Sequence, residues 1–282
     1  ESMIDQLNAK GFGLTFGIHS RIDKQVEEIT SRVNAGNIYV NRNQIGAVVG
    51  SQPFGGEGLS GTGPKAGGPS SLHGYSQSIA LTKVTDHELT LYGNTEVHNL
   101  ILPSLSLRKD LITKMQKKFS FIEGDFFNFL YDEISKYSTN ISLPGPTGES
   151  NNIRYKPKGT ALCLGPAAID VLKQTLLSLV LGNSVISLIQ EDEYNSLLEL
   201  GFSKENIVRL INGPSLNLMK SESYKVILYF GSLMSVEKLI VSHRREITPV
   251  MSSLYETWQL VNESVITEDT TASGGNANLL AL

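Results

Sequence analysis

Apolar and polar positions change their period several times along this chain, and each change predicts an element. Residues 3–9 (Met-Ile-Asp-Gln-Leu-Asn-Ala) read as the end of a helix, with Gly11 placed to stop it. Leu14-Thr-Phe-Gly-Ile18 reads as a short strand. Ile22, Val26, Ile29 and Val33 recur at helical spacing, which predicts a helix over roughly 21–34 with Ser20 as its N-cap. Asn34-Ala-Gly36 ends that helix, and Asn37-Ile-Tyr-Val-Asn41 is a strand rich in β-branched and aromatic residues. A small apolar segment, Ile45 to Gly50, follows.

Further on, Tyr75–Val84 and Glu88–Tyr92 are short strand candidates. Helices are predicted at roughly 104–119 and 123–137; Phe126, Phe127, Phe129, Leu130 and Ile134 give the second an apolar stripe, read as core. Ser142 to Asn152 is the strongest loop signal of this half. From there strands and helices alternate: strand 159–164, helix 168–181 stopped by Gly182-Asn183, strand 184–188, helix around 192–200, and strands 207–211 and 225–230. Continuous apolar strands separated by helices predict a parallel sheet covered on both faces, a Rossmann-like half in an α/β chain.

Between the two patterns lies Gln52 to Pro69, with glycines at 55, 56, 58, 61, 63, 67 and 68, prolines at 53, 64 and 69, and one aromatic, Phe54. Glycine is tolerated at such density where backbone turns sharply or approaches a ligand, but Gly/Pro clusters are also linkers. Composition leaves both readings open. The apolar segment before the run and Phe54 within it favour an ordered loop.

Composition narrows the class. At 282 residues, with 40% hydrophobic and 18% charged residues, the chain has the make-up of a globular protein. Its net charge of −4 weighs against nucleic acid as a partner. No apolar run is long enough for a membrane span, and no signal peptide is visible. A lone Cys163 excludes an internal disulfide and fits a reducing, cytoplasmic setting. No metal-ligand pattern stands out. The chain opens on Glu1 with a helix already under way, which reads as a fragment.

The order Gly-Leu-Thr-Phe-Gly-Ile-His-Ser-Arg (13–21), Ala-Gly-Asn-Ile-Tyr-Val-Asn (35–41), Pro-Phe-Gly-Gly (53–56) and Ser-Gly-Thr-Gly (60–63) resembles the end of an aldehyde dehydrogenase catalytic domain. Within that superfamily, residues 41–69 are similar to the L-glutamate-γ-semialdehyde dehydrogenase module of the bifunctional proline utilization A family. The likeness covers about residues 10 to 70. It implies that Gly46 and Ala47 anchor the substrate's α-carboxylate through backbone N–H groups, and that Phe54 walls the aliphatic stem. Small residues there let main-chain amides reach a carboxylate. By the residues alone, a tight strand connection with Phe54 as core packing is the favoured reading.

The same resemblance implies NAD and FAD in the parent enzyme, no cofactor on this fragment alone, and proline oxidation to glutamate by the whole. Its nucleophile and base lie upstream, in a missing N-terminal part of the polypeptide. No cysteine precedes residue 70, and Cys163 sits in an apolar strand as an inert thiol, so no catalytic residue is expected here. The second half resembles a degenerate cofactor fold of the same superfamily: Gly159 to Gly165 lacks Gly-x-Gly-x-x-Gly, and Leu188-Ile-Gln190 replaces an acidic strand end. Thr271 to Leu279 is similar to the family's C-terminal motif, which folds back as a lid, although a small-residue tail by itself reads as disordered. The expected division is 1–80 catalytic-domain end, 81–155 connecting elements, 156–260 degenerate Rossmann-like domain and 261–282 lid. Membrane association falls to the parent only. The competing expectation is a non-enzymatic structural or oligomerisation module.

Overall fold

The computed structural model describes residues 3–44, 47–61, 63–75, 91–92, 100, 104–212, 224–232, 236 and 248–271. In chain order the first stretch holds α1 (Met3–Ala9), β1 (Phe12–Gly13), β2 (Thr15–Ile18), α2 (Asp23–Arg32), β3 (Asn37–Val40) and β4 (Glu57–Gly58). β5 (Leu91–Tyr92), α3 (Leu105–Lys118) and α4 (Gly124–Ser138) follow, then β6 (Ile141–Leu143) and β7 (Glu149–Pro157). The remainder is β8 (Thr160–Gly165), α5 (Ala168–Val180), β9 (Ser184–Ser187), α6 (Glu191–Glu199), β10 (Ile207–Arg209), β11 (Ile211–Asn212), β12 (Val226–Tyr229), β13 (Val250–Met251) and β14 (Val261–Asp269).

These elements form two compact units that interleave along the chain: described residues of 1–76, 139–156 and 262–282 make one, and those of 77–138 and 157–261 the other. The first is built on a sheet of order β2-β3-β14-β7-β6. β3 runs parallel to both β2 and β14, with Asn37 in register with Thr15 and with Val265. Its apolar cluster joins Ile18, Val33, Ala35, Ile38, Val40 and Ile266, with Val26 and Ile29 of α2 packed on it.

Two local expectations change here. α2 starts at Asp23, and Ser20 is not its cap; the Ser20 hydroxyl instead accepts the Ile22 N–H at 3.2 Å. Ile22, placed by periodicity on the buried face, is 62% exposed because it precedes the first helical turn. A larger difference lies at Ser142 to Asn152, where only the turn is loop. β6 and β7 pair antiparallel across it, Ile141 opposite Ile153 and Leu143 opposite Asn151. The polar run Glu149-Ser-Asn-Asn hides this strand because its pairing, not its side chains, supplies the order.

The second unit carries the Rossmann-like sheet, order β10-β9-β8-β12-β13, parallel throughout. β8 and β9 are buried along their whole lengths, as a sheet covered on both faces requires. α3 and α4 match their expected spans, and Phe126, Phe127, Leu130 and Ile134 are buried while Phe129 stacks edge-on against Tyr255 at 5.8 Å. The buried Arg108 guanidinium donates to Val180 O (3.4 Å) at the end of α5 and to Ser138 Oγ at the end of α4, a cationic cap on two helix C-termini. The strands expected over 76–90 and the motif over 272–282 lie outside the described residues.

Candidate functional site

The glycine-rich run is an ordered loop. Phe54 and Ala66 form a two-way β-bridge, each N–H donating to the other's carbonyl at 3.0 Å. Asn37, 1% exposed in β3, grips the backbone on both sides of Phe54: its Nδ2 donates to Pro53 O at 2.8 Å, and its Oδ1 accepts the Gly55 N–H at 3.1 Å. Gly36 lets the strand approach this closely, since a Cβ there would fall on Gly55 O and Lys65 Nζ. Lys65 is itself buried, its Nζ donating to Gly55 O and its backbone N–H to Glu263 Oε2 at 2.7 Å. A linker makes none of these contacts.

The segment before the loop is tied to it. Gln52 N–H donates to Val48 O at 2.7 Å and Gly50 N–H to Gly67 O at 3.3 Å. Ala47 is exposed, as are Val48 at 53% and Val49 at 86%, while Phe54 is half-buried. Gly46 lies outside the described residues, so of the expected pair only Ala47 is placed, on the same folded-back segment system as Phe54. Asn41, at φ 57, ends β3 in the left-handed region that asparagine tolerates. Its amide closes on Ser20, accepting Ser20 N–H and donating to Ser20 O, both at 3.0 Å. Immediately after it, Arg42 pairs with Glu149 and lies over the Tyr39 ring, 5.7 Å from its centroid.

Asn37, Asn41, Lys65, Glu149 and Glu263 are the residues that sequence reasoning missed. Asn37 left a faint signal, an amide at the head of an apolar strand. Glu149 and Glu263 left none, because they meet the loop across 97 and 198 residues of chain.

In the second unit the crossover from β8 to α5 is where a dinucleotide would bind in a parallel sheet. Gly165 turns there at φ 99, but its N–H donates to Gln174 Oε1 (3.0 Å) and its carbonyl accepts from Gln174 Nε2 (2.8 Å). Ala167 N–H, at the start of α5, donates to the Asp170 carboxylate at 3.1 Å. Gln190 N–H, at the start of α6, donates likewise to Glu193 at 3.2 Å. The Gly165, Ala167 and Gln190 amides at this end of the sheet are thus already engaged, two of them by carboxylates. Cys163 in β8 is fully buried, 3.8 Å from Ser178 Oγ, and burial pushes its thiol up to about 12. No His/Cys/Asp/Glu cluster among the described residues is placed to hold a metal, and no described helix is long and apolar enough to cross a membrane.

Residues 1–80 match the aldehyde dehydrogenase family. Along 99% of its length the chain is 31% identical to bifunctional protein PutA of Salmonella typhimurium, of which it covers 21%. It is 36% identical over 84 residues to 1-pyrroline-5-carboxylate dehydrogenase 2 of Bacillus subtilis, covering 30% of this chain and 16% of that one. The structure of proline utilization A from Corynebacterium freiburgense has the same fold over 95% of this chain and 24% of that one, with a TM-score of 0.53 at 20% identity. The chain therefore spans about a fifth of the length of the PutA relative it follows throughout. With the family match in its first eighty residues and PutA-like sequence along the whole, this chain belongs to the aldehyde dehydrogenase superfamily and is similar to PutA throughout.

Proposed function

We propose that this segment supplies the substrate-anchoring loop of an NAD-dependent L-glutamate-γ-semialdehyde dehydrogenase within a bifunctional proline-catabolic enzyme. The observation that carries the reading is the loop itself: Ala66 holds the Phe54 backbone and Asn37 the Pro53 carbonyl and Gly55 N–H beside it, while exposed Ala47 stands on the segment folded back against the loop. A substrate bearing a carboxylate beside a short carbon chain needs backbone donors for the one and an apolar wall for the other. Gly46 and Ala47 take the first role and Phe54 the second. The likeness to a 1-pyrroline-5-carboxylate dehydrogenase supports the same substrate class.

NAD, FAD, the nucleophile and the base belong to the rest of the parent polypeptide. Cys163 is no nucleophile, because a thiol raised by burial is protonated at neutral pH and out of reach. The second unit is a non-catalytic member of the superfamily fold, and the residues after Thr271 serve as a lid. In the full-length enzyme, Phe54→Ala raises KM for the semialdehyde far more than KM for NAD; an equal effect on both refutes the assignment. The competing reading, a structural or oligomerisation module without a catalytic role, draws on the filled crossover at Gly165. It requires Phe54→Ala to leave both constants unchanged.

A further inference from the structure

Glu149 and Glu263 both lie beyond the residues that match the aldehyde dehydrogenase family, and both reach into its glycine loop. Glu149, at the head of β7, uses its two oxygens on the two stems of the anchor segment. Oε2 pairs with Arg42, just before that segment, and Oε1 accepts from Gln52 Nε2 at 2.9 Å, just after it. Asn151 Nδ2 donates to the same Oε1 at 2.8 Å and fixes the carboxylate. The pair is largely shielded, with side-chain exposures of 19% for Arg42 and 15% for Glu149. Glu263, 7% exposed in β14, takes the Lys65 N–H at 2.7 Å, and Lys65 Nζ reaches on to Gly55 O beside Phe54.

From this arrangement we infer that Glu149 and Glu263 are positioning residues for semialdehyde binding: one ties Arg42 to Gln52 on either side of Ala47, the other holds the far side of the Phe54–Ala66 bridge. The inference rests on the proposed substrate role of the loop. A positioning role displaces the binding groups by a fraction of an ångström when lost, which weakens one substrate selectively; a merely structural role weakens everything together.

The test is made in the full-length enzyme, with semialdehyde and NAD varied separately and Phe54→Ala measured alongside. Glu149→Gln and Glu263→Ala are each expected to raise KM for the semialdehyde by about tenfold and to leave KM for NAD within about twofold. Glu263→Gln keeps an acceptor for the Lys65 N–H and is expected to return to within about threefold of the parent. Unchanged semialdehyde KM in Glu149→Gln and Glu263→Ala, or parallel rises in both constants, overturns the inference while a selective Phe54→Ala effect leaves the substrate reading standing. A non-selective Phe54→Ala effect removes the reading and this inference with it. Where Glu263→Ala does not fold, the Glu149→Gln result alone decides.

Discussion

Gly165 and Gln174 are joined by a reciprocal pair of hydrogen bonds, N–H to Oε1 at 3.0 Å and Nε2–H to carbonyl at 2.8 Å, with the glutamine fully buried. The side chain from α5 thus takes both backbone groups at the tip of β8. Removing it strands the buried Gly165 N–H, while the Gly165 carbonyl keeps the Phe230 N–H at 2.8 Å. Gln174→Ala is expected to lower the unfolding free energy by about 1–3 kcal/mol. Gln174→Leu, which restores bulk without the bonds, should cost nearly as much. Urea denaturation of the chain measures both, and a well-tolerated leucine would mean that the glutamine acts by packing.

Asn41 combines a strained backbone, φ 57, with two bonds to Ser20. Asn41→Ala keeps the unfavourable conformation and loses both bonds, so a loss of about 2 kcal/mol is expected. Asn41→Gly loses the bonds but relieves the strain and should be the milder change. Thermal unfolding of the two variants orders them; the reverse order would show that backbone strain does not matter at this turn.

Two carboxylates titrate in opposite senses. Burial pushes Glu149 up, but hydrogen bonds from Asn151 and Gln52 and the charge of Arg42 outweigh it and hold the group below its ordinary 4.5. A depressed folded value means stability that is fully present above the unfolded value and lost as pH falls through the folded one. Parent and Glu149→Gln should therefore differ in stability at neutral pH and converge in acid. Glu268 is raised by burial and by the charge of Asp23, so its contribution is present below the unfolded value and lost as pH rises through the folded one. Glu268→Gln is expected to raise the melting temperature at neutral pH and not in acid. Melting curves across the acid range check both signs.

Cys163 is 0% exposed, and its thiol is pushed up to about 12 by burial, outweighing the bonds from Ser178 and Thr175. A thiol-specific chromogenic reagent at neutral pH should leave it unmodified in the folded chain and titrate one thiol in denaturant. Rapid labelling of the native chain would place the sulfur at an accessible site and reopen its role.

Much of the second unit was legible because its signals are local. β8, α5, β9 and α6 follow one another with continuous apolar strands and helical stripes, so each announces itself within a dozen residues. β7 and β14 were not legible. Glu149-Ser-Asn-Asn carries the composition of a loop, and it becomes strand only through its neighbours in the sheet. β14 pairs Val265 with Asn37, a partnership that no local window contains.

The candidate site divides in the same way. Sequence alone determined where it lies, because glycine density and Phe54 are chemical properties of a contiguous stretch, and their order matches a family pattern. It left open whether that stretch was linker or loop. Tertiary structure decided the matter, through Asn37 on the Pro53 carbonyl and Gly55 N–H that flank Phe54, Glu149 on Arg42 and Gln52, and Glu263 on Lys65. Those bonds join groups up to 198 residues apart, and a bond of that span depends on how the whole sheet closes, which no short pattern encodes.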